Sequence, residues 1–340
     1  MNQSSNLNEK RVDVSIVIVT YNSEQQIRNC LRSVIEQRDH ITQQIVVLDN
    51  ASTDGTAGVI RAEFPEVELL EPGRNLGFAS GVNEAARHAT GEFVLLLNPD
   101  TEIRDHAIDV VFDFARTQPA YGFYGGRTLK TDGSLEPSSC WGAPTLWSMA
   151  LFAAGITTLA PRNRWLDPES LGSWPRDTVR EVGVITGCFL LASADAWRKL
   201  GGFDERFFMY GEDVDLALRA RLAGYRPVIC PEARVMHEVG KSSEKAIDKM
   251  MLLYRGKAQL ARTHWHGIGR SIAVFLLEGG VALRAGLSAV LNRIRSSDSN
   301  DSRWIELWRR RQDWRLGYCD TNKQAAGSKS VASSSDCSSA

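Results

Sequence analysis

Residues 14 to 117 alternate short apolar runs with segments whose apolar residues recur at helical spacing. No other feature constrains the fold as strongly, because strands that are apolar on both faces and separated by helices are typical of a parallel sheet built from βαβ units. The predicted strands span residues 14–19, 44–48, 67–70 and 93–97, and the predicted helices span 24–37, 56–63, 79–88 and 105–114. We therefore expect an α/β fold with a mostly parallel central sheet flanked by helices.

Polar side chains follow three of these strands at the points where they end. They are Thr20-Tyr21-Asn22, Asp49-Asn50 and Asn98-Pro99-Asp100. In open α/β sheets, ligands bind at the carboxyl ends of the strands, so three polar strand ends indicate a binding site at one edge of the sheet. A structural alternative for Asp100 is that it caps the helix predicted to follow it, since Asp and Pro are common in turns.

The composition is that of an ordinary globular protein. The 340 residues suffice for one large or two modest domains, and 43% of them are hydrophobic. A net charge of −1 gives no strong field for nucleic acid, so we expect no nucleic-acid partner. The six cysteines lack CxxC spacing, which favours reduced, mostly buried thiols of a cytoplasmic protein. Residues 1 to 11 lack the apolar segment of a signal peptide and are predicted to be disordered.

A group of carboxylates marks the second half of the chain. Glu212 and Asp213 follow Gly211 directly and open a predicted helix. Acidic residues are common at this position because the helix dipole stabilises negative charge at the amino end. On this structural alternative, Asp215 and Arg219 form an i,i+4 pair on the protein surface.

The C-terminal part of the chain is richer in long apolar segments. Residues 271 to 291 contain Glu278 and Arg284 within an apolar run, which predicts an amphipathic helix lying at a membrane interface rather than a transmembrane helix. Residues 303 to 318 place Trp and Arg at helical spacing, which suits an anionic membrane surface or, alternatively, packing on the main domain or on another subunit. The tail, residues 322 to 340, is predicted to be disordered.

Five sequence segments follow one another in an order that is typical of a known family. They are "VSIVIVTYN", "VVLDNASTDGT", "NLGFASGVNEAA", "FVLLLNPDTEI" and "GGFDERFFMYGEDVDLALRARLAG". Together they resemble family 2 glycosyltransferases of the GT-A fold, in particular the rhamnosyltransferase-like bacterial branch. The resemblance spans residues 12 to 245 and implies a nucleotide half (12–117) and an acceptor half (118–245). Residues 246 to 321 are then a helical extension that could associate with a membrane.

The resemblance implies a divalent cation as cofactor. Glycosyl transfer from a nucleotide sugar develops charge on a leaving diphosphate, which Mg²⁺ or Mn²⁺ stabilises with one or two protein ligands. Asp100 is the first implied ligand, and Asn98 is a neutral substitute for the first residue of the Asp-x-Asp motif of the family. His237 is the second implied ligand, and imidazole suits Mn²⁺ better than Mg²⁺. The alternative for His237 is a surface histidine or one whose hydrogen bonds are satisfied within the protein.

The resemblance also implies that the first half binds the nucleotide. A carboxylate at the position of Asp49 suits the N3–H of a pyrimidine or a ribose hydroxyl, although Asp49 could instead cap the turn at residues 50 to 55. Arg74 lies in a segment that lines the nucleotide pocket in the family, but it could also be a solvated surface cation. The complete set of expected nucleotide-binding residues is Thr20, Tyr21, Asn22, Asp49, Arg74, Asn75 and Asn98.

An inverting transfer needs one carboxylate beside the acceptor hydroxyl. The match to the family assigns this role of general base to Asp213, with Glu212 orienting or contacting the acceptor. The expected activity is transfer of L-rhamnose from dTDP-rhamnose to a lipid-linked or polysaccharide acceptor in cell-surface glycan synthesis. The expected location is cytoplasmic, peripheral at the inner face of the cell membrane.

Two alternatives to this activity stay open. One is a transferase with another donor, such as a UDP-sugar. The other is a non-catalytic assembly protein that binds nucleotide sugars, for which the neutral Asn98 is the indication, whereas Asp100, Asp213 and His237 favour an enzyme. The sequence contains neither GxxxxGK[ST] nor a GxGxxG in its first turn, which argues against a P-loop protein and a dinucleotide dehydrogenase.

Overall fold

The computed structural model describes residues 11–237, 246–295 and 302–318. The predicted disordered tail and, except for Arg11, the predicted disordered N-terminus lie outside these residues. The chain forms two compact units. The first consists of Met1–Ala143, Ser173–Asp204 and Leu216–Ser242, and the second consists of Pro144–Gly172, Glu205–Asp215 and Ser243–Ala340.

The strands and helices of the described residues have the following bounds. The strands are β1 (Val14–Thr20), β2 (Gln43–Asp49), β3 (Glu68–Leu70), β4 (Phe93–Leu97), β5 (Thr101–Ile103), β6 (Phe123–Leu129), β7 (Cys140–Trp141), β8 (Arg180–Glu181), β9 (Val184–Ile185), β10 (Phe189–Ser193) and β11 (Val228–His237). The helices are α1 (Glu24–Glu36), α2 (Thr56–Glu63), α3 (Phe78–Ala86), α4 (Ala107–Thr117), α5 (Leu146–Ala153), α6 (Ile156–Leu159), α7 (Ala194–Leu200), α8 (Glu212–Leu222), α9 (Ala246–His264), α10 (Gly267–Arg295), α11 (Ser302–Arg309) and α12 (Arg311–Trp314).

The first unit is built on one large sheet with the strand order β3-β2-β1-β4-β10-β6-β11-β5, and β8 pairs with β11. This confirms the predicted α/β class with a central sheet flanked by helices. The neighbours among β3, β2, β1 and β4 are parallel, as is the β6–β11 pair, whereas β10, β5 and β8 are antiparallel to their neighbours. The sheet is therefore mixed. Parallel neighbours need a crossover, which α1, α2 and α3 provide, and no such single helix leads from β4 to β10.

The register of the strands brings their polar ends to one edge. Thr20 pairs with Asp49 where β1 and β2 end, and Ile18 pairs with Leu97 beside the end of β4. Every residue of β1 and β4 is buried, because helices cover both faces of these strands. The predicted binding edge thus lies at the carboxyl ends of strands whose residues are all buried, namely β1 and β4.

The second unit is helical. Its core contains Met251 and Tyr254 of α9, Leu277 and Val281 of α10, and Trp314 of α12. The indole nitrogen of Trp314 donates a hydrogen bond of 2.9 Å to the carbonyl oxygen of Leu307, and the side chain is fully buried. For Trp314 the predicted membrane contact is therefore wrong, because the side chain packs inside the second unit itself. An amphipathic Trp/Arg pattern cannot distinguish these two environments, since either one covers the apolar face.

Helix α10 has two apolar faces. Its segment Gly267–Ile294 contains an 18-residue stretch with a mean hydropathy of 1.7, so one helix among the described residues is long and apolar enough to cross a membrane by length and composition. One face is buried against the unit and includes Ala273, Leu277, Val281 and Ala285. The other face is exposed and consists of Ile268, Ile272, Phe275, Leu283, Leu287, Val290, Leu291 and Ile294, called the α10 apolar stripe below. The charged residues Glu278 and Arg284 both have partners within the unit.

Candidate functional site

In the first unit, the ends of β1 and β2 present a hydroxyl and a carboxylate. Thr20 is buried, and its Oγ1 atom has no hydrogen-bond partner among the described residues. Asp49 is also buried, and its carboxylate accepts hydrogen bonds from the Ser52 amide, at 3.1 Å, and from the Ser52 hydroxyl. The turn-closing role proposed as the alternative for Asp49 is thus observed. The Thr20 hydroxyl is thus a hydrogen-bonding group at this edge that no described residue satisfies.

Asn22 joins the two loops that follow β1 and β2. The backbone amide of Asn22 donates a hydrogen bond to Ser52 Oγ at 2.9 Å. The side-chain Oδ1 of Asn22 accepts one from the backbone amide of Thr53 at 2.8 Å. Its φ of 49° lies in the left-handed region, which Asn tolerates better than most residues. The Asn22 side chain therefore fixes these two loops to each other, whereas the Tyr21 side chain beside it is exposed. Ser52 was not among the residues predicted from the sequence, although Ser three residues after a strand-end Asp is a known turn pattern.

The loop that carries Arg74 and Asn75 is fixed by a third strand-end residue, Asn50. The Asn50 side chain is buried, donates to the carbonyl oxygen of Gly77 at 3.0 Å and accepts from the Leu76 amide at 2.7 Å. Both Arg74 and Asn75 are exposed and precede α3 rather than lying within it. The structure therefore links this loop to the end of β2, and the Arg74 side chain stays accessible to solvent or to a ligand.

Asp100 and His237 lie together at the same edge. The Oδ1 atom of Asp100 is 3.2 Å from the Nε2 atom of His237, and Nδ1 of His237 is buried without a hydrogen-bond partner among the described residues. His237 is the last residue of β11 rather than a residue that follows the strand. Asp100 is followed by β5, and α4 begins only at Ala107, so the proposed helix-cap role of Asp100 is wrong.

The donor atoms of this pair suit a divalent cation that is shared with a substrate. A carboxylate oxygen and an imidazole nitrogen are ligands that Mn²⁺ accepts, and Mg²⁺ commonly takes few protein ligands alongside phosphates. Among residues 11–237, 246–295 and 302–318, no group of three or more His, Cys, Asp or Glu side chains could hold a metal. Asn98 precedes the pair in the turn, where its amide donates to the carbonyl oxygen of Cys188 at 3.1 Å. The residues therefore fit a cation completed by phosphate oxygens.

In the second unit, three carboxylates occupy the first turn of α8. Glu212 is buried with 5% exposure, and its Oε2 atom has no hydrogen-bond partner among the described residues. Burial, together with the nearby charges of Asp213 and Asp215, raises the pKa of Glu212 to about 8. Asp213 is half-buried, and its Oδ1 accepts from the Val214 amide at 2.8 Å. Near neutral pH, Glu212 therefore holds a proton beside the more accessible carboxylate of Asp213.

Asp215 is fully buried, so the expectation of a surface position for it is wrong. Its Oδ1 atom lies 2.8 Å from Nε2 of His264, which is 49 residues later in the chain on α9. Helix α9 also packs directly on the segment before α8, because a Cβ atom at Gly256 would lie 2.0 Å from the carbonyl oxygen of Tyr210. The acidic turn is thus held from one side by α9. No sequence pattern indicated the participation of His264.

Comparison with known proteins adds independent information. Residues 15–162 match the family described as Glycosyl transferase family 2, and residues 175–318 match Glycosyl transferase family group 2. The N-acetylglucosaminyl-diphospho-decaprenol L-rhamnosyltransferase of Mycobacterium tuberculosis is 30% identical over 292 residues, which cover 80% of this chain and 91% of that protein. Rhamnosyltransferase WbbL of Escherichia coli K12 is 27% identical over 234 residues, which cover 66% of this chain and 83% of that protein.

Solved structures agree on the fold. Mannosyltransferase PcManGT from Pyrobaculum calidifontis, in complex with GDP-Man and Mn²⁺, has a TM-score of 0.51 at 20% identity over 92% of this chain and 85% of its own. S. aureus TarS 1-349 has a TM-score of 0.50 at 17% identity over 87% of this chain and 78% of its own. These similarities confirm the predicted GT-A fold.

Proposed function

The chain belongs to glycosyltransferase family 2, and from this premise we propose that it transfers L-rhamnose from dTDP-rhamnose to a lipid-linked acceptor, with inversion at the anomeric carbon. The observation that carries the proposal is the 30% identity, across 91% of its length, to a relative named as a rhamnosyltransferase acting on N-acetylglucosaminyl-diphospho-decaprenol. The second relative, WbbL, is also named as a rhamnosyltransferase. The product would enter cell-surface glycan synthesis.

The first unit supplies the residues proposed to bind the donor. The Asp49 carboxylate is proposed to accept a hydrogen bond from the base or the ribose, and the Thr20 hydroxyl, which has no partner among the described residues, is proposed to donate one to the nucleotide. The exposed Arg74 is proposed to contact the diphosphate as a charge-assisted donor. Asp100 and His237 are the residues that would hold Mn²⁺ or Mg²⁺, which would neutralise charge on the leaving diphosphate.

The second unit supplies the carboxylates proposed to activate the acceptor. The acceptor hydroxyl oxygen attacks the anomeric carbon, the bond from that carbon to the diphosphate oxygen breaks, and Asp213 takes the hydroxyl proton. Glu212 holds its own proton near neutral pH, because its pKa is raised to about 8, and donates a hydrogen bond to the acceptor. The two adjacent carboxyl groups thereby divide the roles of proton acceptor and hydrogen-bond donor.

We place the protein at the inner face of the cell membrane as a peripheral protein. The α10 apolar stripe is flanked by the exposed cations Arg270 and Arg293, which suits an anionic lipid surface. The opposite face of α10 is buried in the second unit along most of its length. A helix with one face packed against the rest of the protein is more suited to lying on a bilayer than to crossing it.

A donor panel tests the proposed activity. The purified protein is incubated with radiolabelled dTDP-rhamnose, UDP-N-acetylglucosamine or GDP-mannose, with N-acetylglucosaminyl-diphospho-prenol in detergent, and with Mn²⁺ or a chelator. We expect a labelled lipid product from dTDP-rhamnose only, and only with the cation. If a labelled product formed only from another donor, the donor assignment would be wrong. If no donor gave a labelled lipid product, the proposed function would be wrong.

A further inference from the structure

Lys257 of α9 carries an ammonium group for which the described residues of the second unit offer no acidic partner at close range. Its Nζ atom lies 5.3 Å from the ring centre of Phe152 and 5.5 Å from that of Tyr254. It makes no hydrogen bond or ion pair with any residue in the described part of the chain, and Glu169 acts on it only through longer-range attraction. Burial lowers the pKa of Lys257, because the charged form is poorly solvated there.

Arg284 of α10 places a second cation on the same ring. Its guanidinium carbon is 3.9 Å from the ring centre of Phe152. Its Nη1 donates to the carbonyl oxygens of Phe152 and Gly280, at 2.9 Å each, and its Nη2 lies 3.4 Å from the hydroxyl of the exposed Thr158. All these acceptors are neutral. Within the described ranges, no carboxylate forms an ion pair with Arg284.

Two like charges beside one ring carry a cost that the protein alone does not offset. The cation–π contacts stabilise Lys257 and Arg284, but partial burial and mutual repulsion oppose this stabilisation. A pair without acidic partners, reaching the surface at Thr158, is the arrangement expected where a bound anion supplies the counter-charge.

The surroundings of the pair indicate which kind of anion binds. Leu283 and Leu287, next to Arg284 on α10, belong to the exposed α10 apolar stripe, and Leu159 beside Thr158 is 85% exposed. A free nucleotide would gain nothing from this apolar surface, whereas a phosphate ester with a long hydrocarbon chain would contact it. We propose that Lys257 and Arg284 bind the diphosphate of a prenyl-linked acceptor, whose hydrocarbon chain runs into the bilayer along the α10 apolar stripe. This assignment rests on the proposed function, since it specifies how the lipid-linked acceptor is held.

Steady-state kinetics with Lys257→Met test the assignment. The variant keeps the length of the side chain and removes the charge, so the KM for N-acetylglucosaminyl-diphospho-prenol should rise about 10- to 100-fold. The KM for the donor should be unchanged, and the thermal midpoint should be unchanged or higher, because a poorly solvated charge is lost. Lys257→Arg should restore most of the affinity. Lys249→Met, which removes a cation from the same helix, should leave both KM values unchanged.

A binding experiment without turnover separates this inference from the proposed function. In the presence of a chelator and detergent, farnesyl diphosphate should bind to the wild-type protein, and Lys257→Met should abolish the binding. Farnesol and inorganic pyrophosphate should each bind far more weakly, since farnesol lacks the diphosphate and pyrophosphate lacks the hydrocarbon chain. Equal binding to wild type and Lys257→Met, or pyrophosphate binding as tight as that of farnesyl diphosphate, would overturn the inference. This result can be obtained even if the protein transfers no sugar.

Discussion

Asp100 and His237 approach to 3.2 Å because the turn that carries Asp100 leads directly into β5, which is paired with β11 in a fixed register. In the antiparallel pair of β5 and β11, His237 stands directly opposite Thr101, the residue after Asp100. Backbone pairing next to the turn therefore holds His237 beside Asp100. This relationship is the structural basis for proposing these two side chains as the cation ligands.

Replacing Asp100 should reduce transfer more than it reduces stability. Asp100→Asn removes the charged ligand but keeps the shape of the side chain, and turnover at saturating donor should fall by about 100-fold or more. Thermal unfolding should change little, since the Asp100 side chain is partly exposed. Turnover is measured over a Mn²⁺ titration, with a chelator as the zero point.

Glu102→Gln is the matched control for Asp100→Asn. Glu102 lies two residues further along on β5, and its carboxylate pairs with Arg104 at 2.7 Å. The control should retain near-normal turnover and the same Mn²⁺ dependence. If the wild-type protein were fully active in excess chelator, the assignment of Asp100 and His237 as cation ligands would be wrong.

The sequence predicted the backbone of the first unit better than it predicted the acidic turn. The apolar runs of β1 and β4 and the polar ends of β1 and β2 follow from local patterns, and the structure places them as expected. The Asp215–His264 contact could not be predicted, because it joins residues 49 positions apart and depends on how α9 packs. Similarly, the spacing of apolar residues does not reveal whether an amphipathic face meets protein or lipid, as Trp314 shows.

The raised pKa of Glu212 should make stability depend on pH. Below about pH 4.5 the carboxyl group is protonated in the folded and unfolded states, and its contribution to stability is fully present. As the pH rises towards about 8, the unfolded chain releases this proton while the folded protein retains it, so the free energy of unfolding falls. Above about 8 the folded protein carries a buried charge.

Glu212→Gln should remove this pH dependence, because glutamine stays neutral. As the pH rises from about 5 to about 8.5, the free energy of unfolding of the variant should increase relative to that of the wild type by on the order of 1–3 kcal/mol. Urea denaturation at a series of pH values measures the difference. Parallel stability curves for the two proteins would show that Glu212 titrates normally in the folded state.

The α10 apolar stripe should determine membrane association. Phe275→Asp and Leu287→Glu place charges on side chains that are 72% and 55% exposed, so neither change should unfold the second unit. Each should reduce cosedimentation with phosphatidylglycerol vesicles by about 10-fold or more, since burial of apolar surface and attraction to anionic lipid act together. Leu222→Glu, on α8, alters an even more exposed leucine (86%) outside the stripe and should have no effect. Unchanged sedimentation of both stripe variants would contradict the proposed membrane surface.

Asp213 and Glu212 stand next to each other in the first turn of α8, and kinetics can assign the general base between them. If Asp213 takes the proton, Asp213→Asn should lower turnover by roughly two to four decades at every pH and leave donor affinity unchanged. Asp195→Asn is the control, because Asp195 is an exposed carboxylate in the first turn of α7 and should tolerate the change. Asp215 cannot serve as the control, since it is buried against His264. If Glu212 were the base instead, wild-type turnover would rise with an apparent pKa of about 8, Glu212→Gln would be inactive, and Asp213→Asn would keep most of its activity.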